Sequence, residues 1–385
     1  MISYGKQSIN KDDVKEVSKA LRKNLITQGN TVEKFEIHLS KKLKAKFCTV
    51  VSNGSSALNI VAKTLEWSKN DFVLTTPISF IATSNCILNQ GATPFFVDID
   101  KDTYTLDPYK VESILKRNSF LRKRVKALIS VDYAGHPSDW QFLKYLSNKY
   151  KFTLINDNCH ALGSKYNDDT GYAVKYADII TLSFHPVKQI TTGEGGAILT
   201  NSKMFDRRFK SLRSHGVFKN QDLIKKKGIW YQEFKELSSN FRMNDFQAAL
   251  GISQLKRLNK FIKKRKKIAQ IYDLEFKKDH RFIIPSTKKN NSHSYHLYPL
   301  LINFEKIKTS KKDFFKKLLK KNIKLQVHYV PIVFQPIYRT KLKNFKFDLK
   351  NSFSFYKKEV SLPIFYDLKY TQAKKIAKTI KKLAK

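Results

Sequence analysis

Asp178-Ile179-Ile180-Thr181-Leu182-Ser183-Phe184-His185-Pro186-Val187-Lys188 is followed at once by a glycine-rich turn, Thr192-Gly193-Glu194-Gly195-Gly196. The mostly apolar run from Asp178 to Phe184 reads as a buried strand, so Lys188 is held on a tight loop beside the core. Desolvation disfavours an ammonium and frees the amine to form a Schiff base with a carbonyl. In a chain with 74 Lys and Arg, a given lysine is ordinarily a solvated surface charge. Lys188 acquires meaning through two segments upstream of it.

The first is Val50-Val51-Ser52-Asn53-Gly54-Ser55-Ser56-Ala57-Leu58. Phe47 to Ser52 reads as a short strand and Ala57 to Leu65 has helical spacing. Gly54, Ser55 and Ser56 therefore stand at a helix N-terminus, where free backbone N–H groups, the helix dipole and hydroxyls favour a phosphate. An ordinary N-cap is the other reading, since Ser and Asn are preferred there anyway. The second segment is Leu154-Ile155-Asn156-Asp157-Asn158-Cys159-His160-Ala161-Leu162-Gly163. It puts Asp157 at the C-terminal end of an apolar strand, where α/β sheets place their ligands. A carboxylate there can pair with a protonated pyridine nitrogen; a capping Asp at a βα turn is the plainer alternative. By itself His160 reads as a core histidine.

The formal charge of +42 over 385 residues invites a polyanionic partner. The lysines are spread over nearly the whole chain, however, and coincide with many Asn, Ile and Phe, a pattern of codon bias. The expectation is therefore no nucleic acid and no membrane insertion. A hydrophobic content of 41% suffices for a sizeable core. Cys48, Cys86 and Cys159 have no paired spacing, which fits a reducing, cytoplasmic compartment and neither a disulfide framework nor a metal site. The first ten residues lack the apolar stretch of a signal peptide.

Strand-like runs alternate with helical ones: Phe47 to Ser52, Phe72 to Thr75, Pro94 to Asp98, Ala127 to Asp132, Phe152 to Asp157 and Asp178 to Phe184, with Gly195 to Thr200 as one more strand. Such alternation predicts an α/β fold with a mostly parallel sheet covered by helices on both faces. Lys11 to Leu25 reads as a helix with Val14, Val17, Leu21 and Leu25 on one stripe. A long basic helix starts near Phe246. The expected division is a large domain over 1–255 and a small α+β domain over 256–385. In the latter, a helix from Lys311 to Lys320 feeds a strand from Ile323 to Val330, and a helix from Thr371 packs through Ala373, Ile376, Ile380 and Leu383.

Together, in this order, these segments resemble the DegT/DnrJ/EryC1 family of pyridoxal-phosphate sugar aminotransferases. Leu25-Ile26-Thr27-Gln28-Gly29, Thr76-Pro77-Ile78-Ser79-Phe80-Ile81-Ala82-Thr83, the acidic pair Asp98 and Asp100, and Asn240-Phe241-Arg242-Met243-Asn244-Asp245 extend the resemblance nearly end to end. Tyr4, Gln326-Val327-His328-Tyr329-Val330-Pro331-Ile332, Gln335-Pro336-Ile337-Tyr338 and Tyr356-Lys357-Lys358-Glu359-Val360-Ser361-Leu362-Pro363 are similar to the branch that serves pseudaminic acid synthesis. Asn156, Asn158 and Asn30 depart from that branch's usual residues. The resemblance implies fold type I, pyridoxal 5'-phosphate as cofactor, and Lys188 as the catalytic amine. It implies cofactor contacts from Gly54, Ser55, Ser56, Phe80, Asp157, His160, Ser183 and Asn240, the last from a neighbouring subunit of a homodimer. Tyr4, Ile26, Thr27, Gln28, Gly29, His328, Tyr329, Val330 and Pro331 would contact a UDP-sugar, with glutamate as amino donor. A dTDP- or GDP-sugar substrate is the alternative within the family. A sugar dehydratase of the same fold would carry histidine in place of Lys188, and a non-catalytic basic protein would have no reason to combine Lys188 with Asp157.

Overall fold

The computed structural model describes residues 1–218 and 221–384, the side chain of Gln221 excepted. Seven strands form the main sheet: β1 (Phe47–Val51), β2 (Phe72–Thr75), β3 (Thr93–Phe96), β4 (Val125–Val131), β5 (Thr153–Asp157), β6 (Ile179–Ser183) and β7 (Gly196–Thr200). Their spatial order is β1-β7-β6-β5-β4-β2-β3. The run from β6 to β3 is parallel, while β7 is antiparallel to both its neighbours. Near-continuous apolar strands are what a sheet buried on both faces requires. Alternation then sorts them: Leu154, Ile180 and Leu182 enter one core, Ile155 and Ile179 the other. The parallel strands β5 and β6 both end at the same edge of the sheet, which brings Asp157 and Ser183 together.

Two short strands, β8 (Val217–Phe218) and β9 (Glu233–Phe234), form a separate hairpin. A second sheet follows, β10 (Phe282–Ile283), β11 (Tyr298–Ile302) and β12 (Glu359–Leu362), all antiparallel. The helix Asp245–Phe276 runs from one core to the other: Leu258, Phe261 and Ile262 pack in the first, Ile268, Ala269, Tyr272 and Phe276 in the second. The terminal helix Tyr370–Leu383 buries Ala373, Ile376 and Ile380 completely on that second core. Burying each isoleucine stabilises the packed state by roughly 1.5–3 kcal/mol, so this stripe is a packing face. Among the described residues no helix is long and apolar enough to cross a membrane. Asp98, just past β3, ties the helix Lys350–Lys358 to the main sheet: its buried carboxylate accepts from Ser352 N at 2.8 Å, Asn351 N at 2.9 Å and Lys110 Nζ at 2.8 Å.

Two local expectations fail. Residues 323–330 make only single bridges, Ile2 to Ile323 and Gln326 to Ser361, instead of a strand. The segment leaves the sheet after Gln326 and turns His328 and Tyr329 toward the cavity beside the main sheet. The first helix ends at Leu21 and turns its predicted stripe outward: Val14, Leu21 and Leu25 are more than half exposed. It docks through polar groups instead. Buried Asp13 is tied to Ser253 at 2.6 Å and Gln254 at 2.8 Å, and also bonds Arg257 on the long helix.

Candidate active site

A cavity of about 800 Å³ opens where the C-terminal edges of β5 and β6 meet the segment 326–335. Lys188 lines it from the loop after β6. That loop is closed by Lys188 N donating to His185 O at 2.9 Å, by Phe184 N to Gly195 O at 2.8 Å and by Thr192 N to Phe184 O at 3.0 Å. Gly193 sits at φ +79°, a left-handed conformation that costs a glycine little, and this lets the turn reverse into β7. Burial lowers the Lys188 amine below the usual lysine range, against the opposing pull of Cys159 and Asp157. The predicted desolvation of this lysine is thus present.

Asp157 is buried at the end of β5 and lines the same cavity. Its Oδ2 accepts from Thr83 Oγ1 at 2.8 Å and its Oδ1 from Cys159 N at 3.2 Å. Thr83 is in turn 2.7 Å from Ser79 Oγ. A carboxylate held by two donors keeps lone pairs for a third. Behind it, Asn156 and Asn158 are both anchored on Asp132, at 3.2 and 2.9 Å. The two asparagines that flank Asp157 therefore brace the strand end.

His160 is buried beside it, accepting from Ala134 N at Nδ1 (3.3 Å) and lying 3.2 Å from the Tyr329 hydroxyl at Nε2. Burial, and then the Lys188 charge, hold its pKa well below the ordinary value, so the ring is neutral. With Nδ1 accepting, the proton is assigned to Nε2, which donates to Tyr329. The two rings stack at 6.1 Å and 28°, and Phe80 lies 6.3 Å from Tyr329 on the cavity wall.

At the helix Gly54–Thr64, Asn53 is the N-cap, its Oδ1 accepting from Ser56 N at 2.8 Å and Ser56 Oγ at 3.0 Å. The hydroxyl of Ser56 also meets Ser52 Oγ at 2.9 Å. Ser56 is turned inward, and Gly54 and Ser55 face the cavity with Ser183. As the first helical positions, Gly54 and Ser55 have no intrahelical partner for their N–H groups. A Cβ on Gly54 would stand 2.9 Å from Ser183 Cβ, so a side chain there would fill the cradle.

Tyr4, His328, Tyr329 and Val330 complete the wall, the Tyr4 and His328 rings 5.0 Å apart. Pro331 is buried just behind it. Ile26, Thr27, Gln28 and Gly29 do not reach the cavity within this chain. They lie against the start of the long helix, with Gly29 N donating to Asp245 Oδ2 at 2.8 Å. Asn240 is exposed and caps the N–H of Arg242 at 3.1 Å. Thr83, Cys159 and His296 were not foreseen as site residues; Thr83 is 74 positions from Asp157 and nothing in spacing joins them.

The model of the DegT/DnrJ/EryC1/StrS aminotransferase family matches residues 7–381. A Campylobacter jejuni protein named UDP-4-amino-4,6-dideoxy-N-acetyl-beta-L-altrosamine transaminase is 37% identical over 380 residues, covering 99% of this chain and 96% of that one. The solved structure of Helicobacter pylori PseC, an aminotransferase involved in the biosynthesis of pseudoaminic acid, superposes with TM-score 0.90. It is 35% identical and covers 99% of this chain and 98% of that one. The PMP form of a Streptococcus pneumoniae sugar aminotransferase reaches TM-score 0.90 at 25% identity, covering 100% and 99%.

Proposed function

Because the chain belongs to the DegT/DnrJ/EryC1/StrS aminotransferase family, we propose that it is a UDP-sugar 4-aminotransferase using pyridoxal phosphate. Glutamate is the amino donor, and the acceptor is the C4 keto group of a UDP-linked 4-keto-6-deoxy-N-acetylhexosamine, on the route to pseudaminic acid. The observation that carries the chemistry is the desolvated amine of Lys188 facing the same cavity as the buried carboxylate of Asp157. The names of the Campylobacter and Helicobacter relatives support the choice of sugar.

The donor set fits the cofactor. Gly54 and Ser55 N–H groups with the Ser183 hydroxyl would take the phosphate, as a helix N-terminus does. Asp157 has the free lone pairs to accept from a pyridinium N–H, and His160 and Phe80 offer ring faces. When bound, pyridoxal phosphate supplies an aldehyde and an electron-withdrawing ring. Burial lowers the pKa of Lys188, which makes its free amine easier to reach than that of an exposed lysine. Lys188 would take a proton from the substrate carbon and return it, as general base and then acid. Neutral His160 keeps a second positive charge away from Lys188. Tyr4 and residues 328–331 would face the sugar nucleotide.

We further propose a homodimer in which Asn240 and residues 26–29 complete the site of the neighbouring subunit. Its support is that these residues lie away from their own cavity while apolar side chains close to them in sequence are exposed, among them Leu21, Leu25, Ile26 and Leu237. A stable pair of basic chains needs an interface on the order of 2,000 Å². The division at residue 255 is likewise a proposal; the last residue of its second part, Lys385, lies outside the described residues.

The test is direct. The purified protein is incubated with glutamate and a panel of UDP-, dTDP- and GDP-4-keto-6-deoxy sugars, and the products are identified. A 4-amino sugar from the UDP substrate is expected. Amination of the GDP sugar alone would move the assignment toward the GDP-perosamine synthases, which are about 30% identical to this chain.

A further inference from the structure

The ring of His328 is held from behind by two buried residues of β12 for which the reaction outlined above has no use. His328 Nδ1 lies 2.8 Å from Ser361 Oγ, and Ser361 Oγ donates to Glu359 Oε1 at 2.5 Å. The other carboxylate oxygen, Oε2, accepts the backbone N–H of His328 at 3.0 Å. Glu359 and Ser361 are both fully buried, and at i and i+2 on a strand they share one face. The hydroxyl of Tyr133 donates to the His328 carbonyl. The ring itself lines the cavity, and its side-chain hydrogen bonding among the described residues is at Nδ1, with none at Nε2.

The protons in this chain can be counted. An ionised carboxylate only accepts, so the single Ser361 proton goes to Glu359 and Ser361 Oγ must accept from His328 Nδ1–H. Burial, with the Lys188 charge, holds His328 down to about 3, so the imidazole is neutral and carries one proton. That proton is then on Nδ1, which leaves a lone pair on Nε2 toward the cavity.

We propose that Glu359 and Ser361 form a positioning relay that locks His328 in its Nδ1–H tautomer, so that Nε2 accepts a hydrogen bond from a hydroxyl or amide N–H of the sugar nucleotide. The substrate half of this statement rests on the function proposed above; the relay half does not.

The relay has a second setting. A protonated Glu359 would donate to Ser361, Ser361 would donate to His328 Nδ1, and Nε2 would carry the hydrogen and meet the sugar donor head-on. Burial raises Glu359 to about 7, against the Ser361 hydroxyl, Lys311 and the His328 N–H. The other groups around it are Lys311, lowered to about 8 by burial and donating to Tyr356 O at 2.6 Å, and the phenols of Tyr104, Tyr133 and Tyr329, which burial keeps protonated. Sugar binding should therefore weaken as pH falls through the Glu359 transition, because the acceptor on Nε2 is lost in the protonated form.

The experiment is nitrogen-15 NMR of the full-length protein labelled at histidine, with the His328 signals assigned by their loss in His328→Asn. Above the Glu359 transition, wild type should show the Nδ1–H tautomer, and acidification should flip it. Glu359→Gln is nearly isosteric; its amide oxygen keeps the His328 N–H, while its NH2 donates to Ser361 and forces the Nε2–H form. In that variant KM for the UDP-sugar should rise about tenfold with kcat little changed, as for one lost hydrogen bond, and its acid-side pH dependence should vanish. A wild-type ring already in the Nε2–H form, or an unchanged tautomer in Glu359→Gln, overturns the relay. If that variant does not fold, the wild-type titration alone decides, and the absence of a flip overturns the proposal. A flipped tautomer with unchanged KM removes the sugar contact. Wild type that turns over no UDP-sugar instead sinks the functional reading and leaves the NMR to judge the relay.

Discussion

The two walls of the cavity are built by the chain in opposite ways. The inner wall comes from strand ends and the turns that follow them: Gly54 to Ser55 after β1, Asp157 to His160 after β5, Ser183 to Lys188 after β6. Each is a short contiguous motif whose position follows from the parallel sheet, because parallel strands deliver their C-terminal ends to one edge. The outer wall, Tyr4 and residues 326–335, comes from chain outside the main sheet: Tyr4 and Tyr329 pack on a small cluster with Ile78, Tyr133 and Phe355, and His328 is held by β12. Its groups are placed by pairs such as His328 with Ser361 and Tyr329 with His160, joined across 33 and 169 positions. Chemistry that every family member shares can sit on the first kind of wall; recognition that differs between members suits the second.

The largest test of this contrast is Lys188→Ala on the inner wall. Turnover should fall on the order of 10³-fold or more, as for loss of a nucleophilic catalyst. Thermal unfolding should hardly move, because a lysine desolvated at a cavity edge contributes little to the core. Near-normal transamination by this variant would undo the whole site. Asp157→Asn should follow, slowing each half-reaction about 10²-fold, in the range of a lost acid-base partner. Retention of cofactor, measured by dialysis and absorbance, should fall far less. Equal losses in both would reduce Asp157 to a brace for the strand.

The same contrast explains what could be read in advance. All seven main strands follow from apolar runs within one or two residues of their ends, and with them the places of Lys188, Asp157 and the Gly54 turn at strand ends. The stripe on the first helix was misjudged because periodicity shows which residues share a face and not which face is covered. Here Asp13 docks the helix through hydrogen bonds, and the apolar side stays outward. The strand expected over 323–330 failed because β-propensity is local, while the segment has a single bridge to β12 at Gln326. Glu359 and Ser361 were visible as residues, but their link to His328 exists only once the second core folds. Thr83 reached Asp157 in the same unannounced way.

Asp98 tests whether the two walls can be uncoupled. Its carboxylate holds Asn351 and Ser352, just before β12, onto the end of β3. Asp98→Ala would leave buried donors unpaired, at a cost of about 2–4 kcal/mol in unfolding free energy. Denaturant melts should show that loss, together with a rise in KM for the sugar and little change in cofactor retention. A loss of cofactor equal to the loss of sugar affinity would mean that the walls move as one.

The smallest effect separates two adjacent serines on the inner wall. Ser55 faces the cavity with Gly54 and Ser183, while the hydroxyl of Ser56 is satisfied by Asn53 and Ser52. Removing the Ser56 hydroxyl should therefore act on the fold, at about 1 kcal/mol for a lost buried hydrogen bond, because Asn53 still caps the helix through Ser56 N. Removing the Ser55 hydroxyl should leave stability unchanged and weaken cofactor binding by a few-fold, since on the proposed reading the two backbone N–H groups and Ser183 would still be there for the phosphate. The paired measurement is cofactor affinity by titration into the apo protein and unfolding free energy by urea, on Ser55→Ala and Ser56→Ala side by side. If Ser56→Ala costs the cofactor and Ser55→Ala does not, the hydroxyl of Ser56 must rotate away from Asn53 when phosphate binds. The inner wall would then rearrange around its ligand, and the contrast with the outer wall would narrow to where the residues come from in the chain.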